Sequence, residues 1–454
     1  MIPSRVGGFI GCGYRTIMHW NPRLALLAVL LLGFLLRIEA FQWNWFMHGD
    51  VMGDAIVAAE LRRDGRLIVF QSPKSADPSL YTLPPLEEGE PLMQHGPLWP
   101  ILGATLTLLR DGASTVADGF LSLRTLSLFA GTLVIVFVFL IGSRLLEPIA
   151  GLSAAAFAAI SYVLIDFSGN GAFYSFQAVL YLLWVLVALK SPSLRRTLLM
   201  GFLAGITYLV NFQAIIMIPA GLVVLLFQER SWKRLMFHAI LLIGVAILVT
   251  SPWLVRNAIL FGDPLYSHAV NMQYVYGKSG FHVPTGFNLG LLDNLSILAG
   301  VFHTWLPYNL YYAARKLFVI APVTFFLFSF GLIDLVFSYP RLRKSFPLLA
   351  ILTFHILLSA SWPIWKFRFF VPLLPLVFLL AVEQLWSLPL TKVWKHFCIG
   401  TTLIAMIVVG ILTYRATPLH TTYYDGALTQ DAFHGSEERT YLEEYGIFPK
   451  KNVP

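Results

Sequence analysis

Charge is scarce in this sequence. Of its 454 residues only 12% are Asp, Glu, Lys or Arg, about half the ~25% that ordinary soluble domains carry. With 57% hydrophobic residues and a mean hydropathy of +0.71, the chain has too little polar surface to cover a water-soluble fold. Soluble enzymes and disordered chains are thereby excluded. Cysteine is nearly absent: Cys12 and Cys398 stand far apart and make no redox or metal-ligand motif. A Gly-rich nucleotide-binding motif is missing as well. The net charge of +8 fits basic cytoplasmic loops better than a nucleic-acid surface, so no nucleic-acid partner is expected.

What the sequence does hold is a succession of apolar runs, at 23–41, 120–145, 149–166, 175–190, 197–211, 212–228, 235–255, 316–338, 346–362, 369–387 and 397–413. Such runs predict an all-α polytopic membrane protein of about 11 transmembrane helices. Repeated spans also argue against a cleaved signal peptide followed by a secreted domain. Basic clusters set the expected orientation. Lys190, Arg195 and Arg196, then Arg230, Lys233 and Arg234, then Arg341, Arg343 and Lys344, then Lys392 and Lys395 are each separated by an even number of crossings. The positive-inside rule puts all of them, and the N-terminal residues 1–22 with Arg5 and Arg15, in the cytoplasm.

This parity leaves a domain at 23–413 with two long outer loops, 42–119 and 256–315, and a non-cytoplasmic tail at 414–454. Loops this long usually carry function. The first is expected to hold juxtamembrane helices, one from Ala55 to Arg63 that ends near Gly65 and an apolar one at 101–110. In the second, the weakly apolar stretch 289–306 reads as an interfacial helix, because a span there would break the parity.

Several residues in these loops could carry chemistry. The first loop opens His48-Gly49-Asp50-Val51-Met52-Gly53-Asp54. Asp54 reads either as the N-cap of the helix that follows or as a functional acid. Asp50, just beyond the membrane surface, is either a solvated loop residue or a carboxylate that meets a lipid headgroup and an aqueous substrate. Further on comes Gln94-His95-Gly96-Pro97-Leu98-Trp99-Pro100, in which His95 is an interface residue or a substrate-loop residue. The stretch Ser251-Pro252-Trp253-Leu254-Val255-Arg256-Asn257 ends in a cation that either snorkels or binds an anion. Lys366 and Arg368 in Trp365-Lys366-Phe367-Arg368 lie on the outer side against the positive-inside trend, where a phosphate is the simplest partner.

Taken in order, these segments resemble the GT-C superfamily of membrane glycosyltransferases, of the protein O-mannosyltransferase and aminoarabinose-transferase type, over most of 24–390. Asp50, Asp54, Ala58 and Leu61 follow an Asp-x-x-x-Tyr-x-x-x-Ala-x-x-Leu-like rhythm, with Asp54 where an aromatic is usual and Val51 where an acid is common. His95-Gly96-Pro97-Leu98-Trp99 is similar to His-Pro-Pro-Leu-Tyr. Pro252-Trp253-Leu254-Val255-Arg256-Asn257 with Phe261-Gly262-Asp263-Pro264 is similar to Pro-Trp-x-x-Arg-Asn…Phe-Gly-x-Pro. Arg368-Phe369-Phe370-Val371-Pro372-Leu373-Leu374-Pro375 resembles Arg-Tyr-x-x-Pro-x-x-Pro. A second acid common in the loop between the third and fourth spans has no clear counterpart: Asp166 is early and Gln177 stands where the acid often sits.

The resemblance implies an enzyme of the cell (inner) membrane with its active site on the non-cytoplasmic face. A polyprenyl-phosphate-linked sugar would be the donor, and a glycan, lipid or protein the acceptor. It implies Asp50 as the catalytic base with Asp54 one helical turn away, Arg368, Lys366 and Arg256 on the donor phosphate, and His95 and Asp166 in substrate-facing loops. No cofactor is called for and no metal ligand set is assigned, although outer-loop carboxylates leave a divalent metal open. A transporter or flippase for lipid-linked sugars, and a non-catalytic partner of an envelope glycosylation complex, are the rival classes.

Overall fold

The computed structural model describes residues 21–43, 49–69, 90–91, 96–109, 115–267, 306–361 and 367–416. It runs α1 (Pro22–Trp43), α2 (Gly49–Asp64), a two-residue antiparallel ladder of β1 (Ile68–Val69) with β2 (Glu90–Pro91), then α3 (Leu98–Leu109) and α4 (Val116–Leu145). There follow α5 (Pro148–Ile160), α6 (Tyr162–Gly169), α7 (Tyr174–Ala188), α8 (Leu194–Val210), a 3-10 turn (Phe212–Ile216) leading into α9 (Met217–Gln228), and α10 (Trp232–Phe261). The last part comprises α11 (Leu306–Ile320), α12 (Pro322–Phe337), α13 (Tyr339–Ser361), a second 3-10 turn (Phe367–Leu373), α14 (Leu374–Ser387) and α15 (Lys392–Ala416).

Each apolar run of the sequence falls on helix. Among the described residues six helices are long and apolar enough to cross a membrane, or seven if the bent pair α5–α6 counts as one span. The sequence count of eleven is therefore not reached on length alone among the described residues. The difference lies in short apolar helices such as Tyr174–Ala188 and Pro322–Phe337, which at 1.5 Å per residue span less than a ~30 Å hydrocarbon core. One expected span, 316–338, is divided at Ala321 between α11 and α12, with Pro322 starting the second helix, a position where its missing N–H costs nothing.

Lipid is the evident solvent of the outer faces. Leu35, Ile247, Ile259 and Phe337 are exposed, and α15 is largely exposed, whereas Arg368–Ser387 is largely buried. The second 3-10 turn and α14 thus form the centre, with α5 and α12 against α14. Burying a polar backbone in such a core demands partners. At the 57° break between α5 and α6, the wholly buried Arg37 of α1 supplies them. Its guanidinium donates to the carbonyls of Ala158 at 3.1 Å and Ala159 at 3.2 Å, and to Gly33 of its own helix at 2.9 Å. A cation at a helix C-terminus also meets the negative end of the dipole.

Candidate active site

The site begins with α2. The expected helix started at Ala55, but α2 starts at Gly49, so Asp54 is not an N-cap. It sits in the second turn with 1% of its surface exposed. The reason is burial: Val51, Ala55, Ile56, Val57, Ala58 and Ala59 are all buried as well, and a helix enclosed on every side is extended by packing as much as by capping. Small residues allow this approach. Gly119 of α4 lies against the Ala55 carbonyl, and Gly103 of α3 lies beside Ala58, the small-residue contact that lets membrane helices close on each other. At its other end α2 stops as expected: Gly65 is left-handed at φ +69. Asp50 falls in the first turn, four residues before Asp54, so helical register puts the two positions on one stripe.

Against the start of α2 lies the turn between α6 and α7. Its residue Gly171 has φ +86, a conformation open to glycine and costly for other residues. A Cβ there would come within 3.2 Å of Val51 Cγ1 and 3.1 Å of Arg124 Cγ. The end of α6 leaves carbonyls without helical partners, and neighbouring side chains take them. Arg124 of α4 donates from Nε to Gly169 at 2.7 Å and from its other end to the Phe41 carbonyl at the end of α1. Its guanidinium lies 4.4 Å from the centre of the Phe41 ring, a cation–π contact. Ser127 donates to Phe167 at 2.8 Å. Arg124 therefore ties α1, α4 and α6 together beside Val51, the neighbour of Asp50.

The Gly96–Trp99 segment closes on the same turn. Trp99 donates from Nε1 to the Gly171 carbonyl at 3.0 Å and stacks on Phe176 at 5.5 Å. Gly96 meets the C-terminal end of α8 so closely that a Cβ would lie 2.2 Å from the Leu209 carbonyl oxygen, which only a residue without a side chain permits. That end of α8 joins α2 through a small cluster of Val57, Tyr208, Phe212 and Trp253. Trp253 belongs to α10, and Arg256 one turn later lies 4.3 Å over its ring. Arg256 is half-buried and donates to Asn257 at 3.0 Å. Asn257 in turn donates to Ser267 at 3.0 Å.

Arg368 sits in the second 3-10 turn, 5% exposed, with its guanidinium 5.4 Å from the Phe369 ring centre. That turn packs on α6 and α7. Asp166 is also buried, at 3%. It was expected in a loop, and this is corrected: α6 continues to Gly169, so Asp166 is a helical residue and the connecting segment is only Asn170–Phe173. Gln177 likewise lies inside α7.

The structure thus joins the element of Asp50 and Asp54 to the Gly96–Trp99 segment, to the turn after Asp166 and, through Trp253, to the helix of Arg256. His95 and Lys366, the side chain of Asp50, the stretch 289–305 and the tail from residue 417 lie outside the described residues. Sequence reasoning missed Arg124 and Arg37. Both are cations within apolar runs, and an ionisable residue in a span is by itself a reason to look for a site. Among the described residues, no three His, Cys, Asp or Glu side chains gather as a metal set.

The fold is shared with solved GT-C membrane enzymes. It is similar to the oligosaccharyltransferase of Archaeoglobus fulgidus in its apo form, at a TM-score of 0.57 and 14% identity over 95% of this chain and 60% of that one. It is equally similar to ArnT from Cupriavidus metallidurans bound to undecaprenyl phosphate, at a TM-score of 0.56 and 15% identity over 94% of this chain and 69% of that one. The chain spans about 60% of the archaeal enzyme's length. Residues 98–255 match the family of dolichyl-phosphate-mannose-protein mannosyltransferases. No curated protein matches the sequence.

Proposed function

We propose that this chain is a glycosyltransferase that moves a sugar from a polyprenyl-phosphate-linked donor to an acceptor at the outer face of the cell membrane. The observation that carries the reading is the seat of the start of α2 beside Arg124 and Gly171, in a fold shared with an enzyme solved bound to undecaprenyl phosphate. A carboxylate at Asp50 then acts as general base. The acceptor hydroxyl oxygen attacks the anomeric carbon, its proton passes to Asp50, and the bond to the phosphate oxygen breaks with its electron pair leaving on the phosphate.

A phosphate leaving group needs no acid, so the demand falls on cations that meet its growing charge. Arg368, with Lys366 and Arg256, takes that role; guanidinium groups bind phosphate oxygens in pairs. Single displacement inverts the anomeric centre. The long outer loops and the tail from residue 414 face away from the cytoplasm, as the basic loops require. His95 and Asp166 contribute to the acceptor side and to its support.

The test is transfer by the purified protein from a panel of polyprenyl-phosphate sugars, with Asp50→Asn as control. Mass spectrometry of envelope lipids, glycans and proteins with and without the gene would identify the modification that disappears. An active Asp50→Asn variant would remove the base from the mechanism. Sugar-lipid translocation without transfer would turn the reading to a transporter.

A further inference from the structure

A buried hydrogen-bond chain runs from the end of α8 to the turn that carries Arg368. Asn211 donates from Nδ2 to Gln177 Oε1 at 3.0 Å. Gln177 donates from Nε2 to the Tyr181 hydroxyl oxygen at 2.8 Å. That hydroxyl lies 2.9 Å from His355 Nδ1, and His355 Nε2 lies 2.7 Å from the Phe369 carbonyl. The polarity follows from its ends. A carbonyl only accepts, so His355 holds its proton on Nε2; Nδ1 of the neutral ring then accepts from Tyr181, whose oxygen in turn accepts from Gln177. Every member donates toward Phe369.

Gln177 and Tyr181 are 0% exposed and His355 is 1% exposed. In such a place each broken link leaves groups without water to replace the lost partner. The far end is near the surface, at the partly exposed Asn211, one residue after the Leu209–Val210 step on which Gly96 is seated. The near end holds the backbone of the residue directly after Arg368. A neutral amide at position 177 is what this polarity needs, because it both accepts and donates. A carboxylate there would lack the N–H that Tyr181 receives.

We infer that Tyr181 and His355 are positioning residues for Arg368. They fix the Phe369 carbonyl, and so the 3-10 turn, with the guanidinium held for an anionic phosphate; this rests on the assignment of Arg368 to the donor phosphate. The chain also links the seat of the first outer loop to that turn, so the two sides of the site share one support.

Binding of undecaprenyl phosphate to the full-length protein in detergent tests the proposal, with Arg368→Ala, His355→Leu, His355→Gln and Tyr181→Phe compared. Arg368→Ala should weaken binding most, to a residual affinity that can still be measured. His355→Leu should weaken binding about tenfold, the equivalent of one lost buried hydrogen bond. His355→Gln keeps an N–H that reaches the Phe369 carbonyl and should recover most of that loss. Combined with Arg368→Ala, His355→Leu should add nothing further, as expected for groups that act through one another.

Wild-type affinity in His355→Leu and Tyr181→Phe, with Arg368→Ala weakened, would overturn the positioning role and leave the phosphate assignment standing. Equal loss in His355→Leu and His355→Gln would reduce His355 to packing and overturn it too. Wild-type affinity in Arg368→Ala would instead overturn the phosphate assignment, and the positioning role with it. If His355→Leu does not fold, Tyr181→Phe carries the test, since it removes one oxygen and leaves the ring in place. It should weaken binding several-fold.

Discussion

The indole of Trp99 and the backbone of Gly171 are joined by one hydrogen bond, Nε1 to carbonyl oxygen at 3.0 Å, across 72 residues of sequence. It ties the first outer loop to the turn between α6 and α7. Val51 and Arg124 press on that same turn from the other sides, so its shape is set by three elements besides the two helices it connects.

Removal of the bond should loosen the turn without emptying the core. Trp99→Phe retains an aromatic ring on Phe176 but orphans the Gly171 carbonyl, at a cost of about 1–3 kcal/mol. Gly171→Ala should cost at least ~1 kcal/mol from its positive φ alone, with the close contacts adding to it. Thermal unfolding in detergent measures both. A Gly171→Ala variant as stable as the parent would contradict the described turn.

The two aspartates of α2 should separate in an assay. Asp50→Asn removes the proposed base and should lower turnover by about 10²–10⁴-fold. Asp54→Asn alters a buried position within the helix, and its effect should show more in thermal stability than in turnover. The reverse pattern, Asp54→Asn dead and Asp50→Asn active, would move the base one helical turn along the same stripe.

Arg368→Lys preserves charge and loses the planar fork. If the contact with phosphate is bidentate and strengthens as charge builds there, the variant should have both a higher donor KM and a lower kcat. Unchanged donor kinetics in Arg368→Ala would take this residue out of the mechanism.

Orientation has its own test. Cysteines introduced at Ser75, Ser279 and Thr421 should react with a membrane-impermeant reagent added to intact cells with an opened outer barrier, while Ser191→Cys should not. Labelling of Ser191→Cys from outside would invert the topology and put the site on the wrong face.

Much of the fold is legible in the chain itself. A bilayer leaves helices as the spanning solution for backbone polar groups, so apolar runs such as 120–145 and 235–255 announce α4 and α10 without knowledge of their neighbours. The ends of α2 show the limit. Its stop at Gly65 was readable because a left-handed residue is a local property, and its start at Gly49 was not, because the added turn packs through Val51 on the distant Gly171. The same holds for Asp166, which reads as a loop residue only until α6 is seen to continue past it.

Sequence alone determined that this is a polytopic helical membrane protein, and four short segments in order pointed to the GT-C fold. Composition and local spacing carry that information, since hydrophobicity decides what the bilayer accepts. Only the tertiary structure decided that Trp99 meets Gly171, that Arg124 joins α1, α4 and α6 beside Val51, and that Tyr181 and His355 lie behind Arg368. Those contacts join residues up to 174 positions apart. They exist because buried carbonyls and side-chain amides must find partners within the protein, and no local pattern specifies which distant partner will be there.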